Sequence, residues 1–171
     1  LDRNLVRAID HVGVGDDEAV ARDDEAGPHG LRLRFPVLTA ARRHLDLALV
    51  GNGRIGLLVD PEGAVVWGCY PRFDGDPVFC ALLDERPPAD ARGVFAIELA
   101  DGVHAEQSYV RNTAVLSTRL TDRDGGAIEI VDCVPRHAEH GRIHTPHTLV
   151  RHVRRTAGRP RIVVRLRPAS D

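Results

Sequence analysis

The stretch Leu45–Leu83, LDLALVGNGRIGLLVDPEGAVVWGCYPRFDGDPVFCALL, decides the fold. Leu47–Val50 and Arg54–Val59 are short apolar runs. Asp60-Pro61-Glu62-Gly63 puts Pro and Gly where a reverse turn takes them, and Ala64–Cys69 is rich in β-branched and aromatic residues. The order predicts strand, turn, strand. The second strand runs into Tyr70-Pro71-Arg72-Phe73-Asp74-Gly75-Asp76-Pro77, where two prolines oppose continued ladder pairing and Gly75 permits a bend. A loop of aromatics, one Arg and two Asp thus leaves a buried strand. Only the next segment, Pro77–Asp84, reads as helical.

Downstream the periodicity is two. Val94–Leu99, His104–Val110, Thr113–Thr121, Ala127–Cys133, Thr148–Thr156 and Arg161–Arg167 each read as strands. Asp122-Arg123-Asp124-Gly125-Gly126 is a hairpin turn that sets alternating Val115, Ser117 and Arg119 against Ile128 and Ile130. Thr156-Ala157-Gly158-Arg159-Pro160 reads as a second such turn. Short strands with turn signals about every ten residues argue for an all-β fold, an antiparallel β-sandwich, over any βαβ arrangement.

Upstream of Leu45 the character changes. Asp10, Asp16, Asp17, Glu18, Asp23, Asp24 and Glu25 crowd a stretch with few large apolar side chains, too few to offset the entropy of ordering it. The expectation is a largely disordered acidic extension over 1–44 and one folded domain over 45–168. Within the extension the pattern permits helices at Asp2–His11 and Leu38–Leu45.

A chain of 171 residues buries roughly two thirds of its unfolded surface in one core, which favours a single domain. All 23 basic residues are Arg and the net charge is −2, so no overall field draws the protein to polyanions and no nucleic-acid partner is expected. Cys69, Cys80 and Cys133 form no C-x-x-C pair and read as small buried residues of a reducing, cytoplasmic compartment. No run approaches the roughly 20 apolar residues of a membrane span. The chain has no Met even at position 1, which suggests a fragment, an alternative start or a processed chain.

The run GNGRIGLLVDPEGAVVWGCYPRFDGDPVFCALLD resembles the start of bacterial glycoside hydrolase family 15 proteins, the glucoamylase and trehalase group. Their N-terminal block has GN or GD, Arg, a strand, D-x-x-G, a strand ending in W-x-C, and then P-R-F-D-S. Further blocks follow at Gly93–Ile97, Gln107–Leu116, Asp132–Pro135 and Arg159–Leu166, so the resemblance spans roughly Leu45 to Pro168. Gly75 departs from the usual Ser, which removes any hydroxyl contact there. The resemblance implies a supersandwich-like β-sandwich joined in cis to an (α/α)6 catalytic barrel that acts on α-glucosides such as maltooligosaccharides or trehalose. It further implies inverting hydrolysis by two barrel glutamates, which this sequence does not reach. On that reading the chain holds no catalytic residue and no cofactor. The alternative is a stand-alone sandwich that binds carbohydrate or protein.

Candidate chemistry concentrates in the loop. Arg72, Phe73 and Asp74 form its centre, and the resemblance implies that it faces the barrel mouth, in a substrate-side or interdomain role; a structural Arg72–Asp74 salt bridge is the plainer reading. Asp74 and Asp76 have the spacing of an acid/base pair, yet Asp beside Gly and Pro is what a turn requires. Trp67 reads first as core packing and second as a sugar-stacking surface. His137, His140, His144 and His147 are spaced for metal, but Gly141 and Pro146 interrupt any helix, so an exposed connection is expected and no metal. The Arg-rich tail from Arg151 to Arg167 reads as strands with one solvated face.

Overall fold

The computed structural model describes residues 33–36, 46–84, 86 and 90–169. Two antiparallel sheets and a small hairpin account for the strands among them. The first sheet has the order β1 (Leu33–Pro36), β7 (Gly102–Tyr109), β8 (Leu116–Asp122), β9 (Ala127–Cys133), β12 (Val150–Ala157). The second runs β13 (Ile162–Arg167), β6 (Val94–Leu99), β4 (Val65–Cys69), β3 (Gly56–Val59), β2 (Ala48–Gly51), with β5 (Pro77–Phe79) also on β4. The hairpin joins β10 (His137–Glu139) to β11 (Arg142–His144).

The core lies between the sheets in two adjoining clusters. One holds Val50, Ile55, Leu57, Val59, Val65, Phe79, Leu116 and Val134; the other holds Ile97, Leu99, Ala105, Leu120, Ile128 and Ile130. Alternation explains the membership: Val94–Leu99 and Ala127–Cys133 form strands over the bounds expected, and every second side chain faces inward. The Asp60–Gly63 turn is held by Gly63 N–H donating to the Asp60 carbonyl, with Gly63 at φ +84° as the turn demands.

The structure corrects several expectations about strands and turns. Pro77–Asp84 is not one helix: Pro77–Phe79 add a strand to β4, and only Ala81–Leu83 make a 3-10 turn. Pro77 pairs with Cys69 as the first residue of its strand, a position a missing N–H allows. The 156–160 segment is not a hairpin turn, because β12 pairs with β9 and β13 with β6; the chain crosses there from one sheet to the other. In the β8–β9 hairpin, Leu116, Thr118 and Leu120 stand opposite Asp132, Ile130 and Ile128, so the inward set is one residue off the expected Val115, Ser117, Arg119. His137–His144 is a β-hairpin, although exposed as expected. Within the 1–44 extension, Leu33–Pro36 pair with His104–Gln107 of β7; the helices considered at Asp2–His11 and Leu38–Leu45 lie outside the described residues.

Candidate functional site

The outer face of the second sheet carries the loop singled out by sequence. Leu58 stands opposite both Leu49 of β2 and Trp67 of β4, which aligns three apolar side chains across three strands. Their neighbours Leu57 and Val59 are buried, so this row points away from the core. Gly68 confirms the parity, since a Cβ there would strike the Leu57 side chain on the core side. Trp67 is therefore half-buried on the outer face, not packed in the core.

Beyond Cys69 the Tyr70–Pro71 peptide is cis, and Gly75 N–H donates to the Arg72 carbonyl at 3.2 Å to close the loop. Phe73 lies over Gly56: a Cβ at that glycine would meet the Phe73 ring at 2.6 Å and Leu49 Cδ1 at 3.3 Å. Leu49, Leu58, Trp67 and Phe73 thus share one surface, with Leu49 56% and Phe73 57% exposed. Arg72 grips Asp74 in a fork, Nε to Oδ1 at 2.9 Å and Nη2 to Oδ2 at 2.7 Å, and both side chains are about 70% exposed to water. Such a pair between near neighbours in high dielectric contributes about 0–1 kcal/mol to folding. Its value to the isolated domain is small, and its donors and acceptors face outward. Asp76 is not part of the pair.

Two residues that pattern reading passed over hold this face in place. Tyr109 reaches from the other sheet to the edge strand β2, where its hydroxyl accepts from Leu49 N–H at 2.8 Å and donates to the Leu49 carbonyl at 2.9 Å. Asn52 ties the end of β2 to the far loops through Nδ2, which donates to the carbonyls of Pro135 and Pro146. Tyr109 does lie in the Q-S-Y-V-R-N segment picked out by sequence, but its target is backbone and leaves no signal in the pattern.

Inside the sandwich sits a polar network. Arg151, expected on a solvated strand face, is buried. Its Nε and Nη2 reach the two Asp132 oxygens at 2.8 and 3.0 Å, Nη1 donates to the Phe95 carbonyl, Nη2 also to the Gly63 carbonyl, and the guanidinium lies 4.8 Å from the Phe95 ring centroid. Gln107 donates from Nε2 to the Asp60 carbonyl and the Thr118 hydroxyl, joining the turn to the first sheet. Asp60 Oδ1 accepts from Ala64 N–H at 2.7 Å; desolvation beneath the turn, with Glu62 adding repulsion, pushes its carboxyl up to about 7. Parity was the available clue to the network: Asp132 continues the inward series Ile128, Ile130.

Elsewhere, the His137 and His144 rings stack at 5.4 Å on the exposed hairpin. Among the described residues no group of three or more His, Cys, Asp or Glu is placed to hold a metal ion. No helix among them is long and apolar enough to cross a membrane.

These features define an antiparallel β-sandwich domain with a buried ion pair inside and an aromatic and charged outer surface on its second sheet. Residues 38–171 match the family model described as trehalase-like, N-terminal, and the chain belongs to that family. It is similar to a trehalase of Thermoplasma volcanium, 33% identical over 99 residues that cover 57% of this chain and 15% of that protein. Trehalase 1 of Sulfolobus acidocaldarius is 42% identical over 90 residues, 52% of this chain and 15% of that protein. A trehalase of Thermoplasma acidophilum is 30% identical over 115 residues, 66% of this chain and 19% of that protein. The chain therefore corresponds to a small N-terminal share of these relatives. No solved structure matches it.

Proposed function

We propose that this chain is the non-catalytic N-terminal domain of a trehalase- or glucoamylase-like glycoside hydrolase, with the catalytic domain following in cis and an α-glucoside as substrate. In this reading the outer face of the second sheet packs on the catalytic domain, and the 70–77 loop reaches the substrate site. The three unpaired cysteines, Cys69, Cys80 and Cys133, suit a cytoplasmic setting. The observation that carries the proposal is the exposed Arg72–Asp74 fork beside Phe73 and Trp67. A guanidinium held in one plane by its own carboxylate is pre-organised to engage a second acceptor, such as a carboxylate or a sugar hydroxyl, and it contributes little to folding where it stands. The loop positions; the barrel does the chemistry.

The test replaces Arg72 or Asp74 with Ala in the full-length enzyme and measures trehalose and maltooligosaccharide hydrolysis. Loss of one charge-assisted hydrogen bond to substrate or to the catalytic domain lowers kcat/KM by about 1–3 kcal/mol, roughly 5- to 150-fold, with Tm unchanged. Unchanged activity with a lowered Tm makes the loop a staple between domains. Unchanged activity and Tm leave it with no part in the enzyme.

A further inference from the structure

Of the four histidines between residues 137 and 147, only His147 is half-buried; the other three are exposed. It lies in the connection between β11 and β12, and the chain is pinned on both sides of it. The Pro146 carbonyl accepts from Asn52 Nδ2 at 2.9 Å, and Leu149 packs on the core cluster around Val50 and Leu116. The His147 ring meets Tyr70 edge-to-face, with 6.1 Å between centroids and 75° between planes, a geometry in which such pairs attract. Tyr70 packs on the same core cluster and opens the 70–77 loop. His147 Nε2 is buried and has no hydrogen-bond partner among the described residues. A nitrogen closed off from water in this way costs stability, so the contribution of the ring is its contact with Tyr70, not a hydrogen bond through Nε2.

We propose that His147 is a positioning residue for the Arg72–Asp74 fork. By holding Tyr70 from the β11–β12 connection it fixes the point where the 70–77 loop leaves the sandwich, and with it the place that Arg72 reaches. This rests on the proposed function, in which that loop reaches the substrate site. The fork cannot fix its own place, because Arg72 and Asp74 both belong to the loop and move with it. The bond from Gly75 N–H to the Arg72 carbonyl is internal to the loop in the same way. Orientation relative to the sandwich has to come from contacts outside the loop, and two are present: Tyr70 against His147, and Phe73 over Gly56. A contact shifts an equilibrium by no more than its own free energy, so losing the His147 ring displaces the fork in part of the population and leaves the domain folded.

The experiment measures trehalose hydrolysis and Gly75 amide exchange in the full-length protein carrying His147→Ala, His147→Phe, Arg72→Ala, or His147→Ala with Arg72→Ala. If His147 positions the fork, His147→Ala lowers kcat/KM by about 2- to 10-fold, the worth of one aromatic edge contact, and speeds exchange at Gly75. His147→Phe keeps the ring and both wild-type values. Once Arg72 is gone, His147→Ala costs nothing further, because its effect passes through the fork. A Phe variant as impaired as Ala overturns the proposal, since the nitrogen then matters and not the ring. A loss that persists undiminished in the Arg72→Ala background also overturns it, as does unchanged Gly75 exchange in His147→Ala. If Arg72→Ala leaves kcat/KM untouched while Gly75 exchange quickens in His147→Ala, the proposed function fails and the positioning contact stands. Should His147→Ala not fold, His147→Leu, which fills the space without an aromatic edge, takes its place in each comparison.

Discussion

Removing either partner of the Asp132–Arg151 pair tests how far the sandwich depends on one buried contact. Asp132 is fully buried and accepts two hydrogen bonds from Arg151. Asp132→Leu strands a buried guanidinium, a loss of about 3–5 kcal/mol. Arg151→Leu strands the carboxylate and also frees the carbonyls of Gly63 and Phe95, at about 1–3 kcal/mol for each unsatisfied group, so it is the more damaging of the two. The double Leu variant removes both charges and leaves the two carbonyls unpaired. It should therefore lose less than the sum of the two single losses, with a coupling of roughly 2–4 kcal/mol. Against the usual total of about 5–15 kcal/mol, each single variant forfeits a large share of the stability. Urea unfolding of residues 1–171 at pH 7, followed by Trp67 fluorescence and far-UV circular dichroism, supplies the four free energies of the cycle. Single-variant losses under about 1 kcal/mol, or strict additivity, would mean that the sandwich does not depend on this pair.

Three further outcomes follow from particular contacts. Asp60 has its carboxyl pushed up to about 7 from an ordinary 3.8, so the folded state holds a proton that the unfolded chain releases; the resulting stabilisation is complete below about pH 4 and disappears as pH rises through 7, and urea midpoints of Asp60→Asn should lack that decline. Gly93→Ala places a Cβ at 2.5 Å from the Cys80 backbone nitrogen at φ +69°, and thermal unfolding should show a loss of about 2 kcal/mol or more. Tyr109→Phe frees both backbone groups of Leu49 at the edge of β2, which hydrogen exchange should register as faster exchange at the Leu49 amide, with a global cost of about 1 kcal/mol or less.

Much of the fold was legible because strand alternation is a local signal. Val94–Leu99 and Ala127–Cys133 announce themselves through every-second-residue apolarity, and D-P-E-G announces its turn. The misread elements depend on distant partners. Nothing local distinguishes a hairpin turn at 156–160 from a crossing between sheets; the pairing of β13 with the distant β6, Ile162 with Leu99 through Arg167 with Val94, decides it. Pro77–Asp84 has helical spacing, but β4 offers its edge to Pro77–Phe79. Arg151 sits among surface arginines in the sequence, and only its meeting with Asp132 across the β9–β12 register makes it a core residue. In the candidate site, Arg72, Phe73 and Asp74 were visible as an odd cluster after a strand. The placement of Trp67 was not, because the bulge at Val66, where Leu58 and Val59 oppose Trp67 and Val65, lets the next-but-one residue of Val65 face the opposite way.

The claim that the 70–77 loop and the Leu49–Leu58–Trp67 face serve a following catalytic domain is tested most directly by amide hydrogen exchange, comparing residues 1–171 alone with the full-length protein. If the catalytic domain covers this face, amides of Arg72–Gly75 and of β2 exchange markedly more slowly in the full-length protein. Equal exchange rates at those amides in the two proteins contradict it.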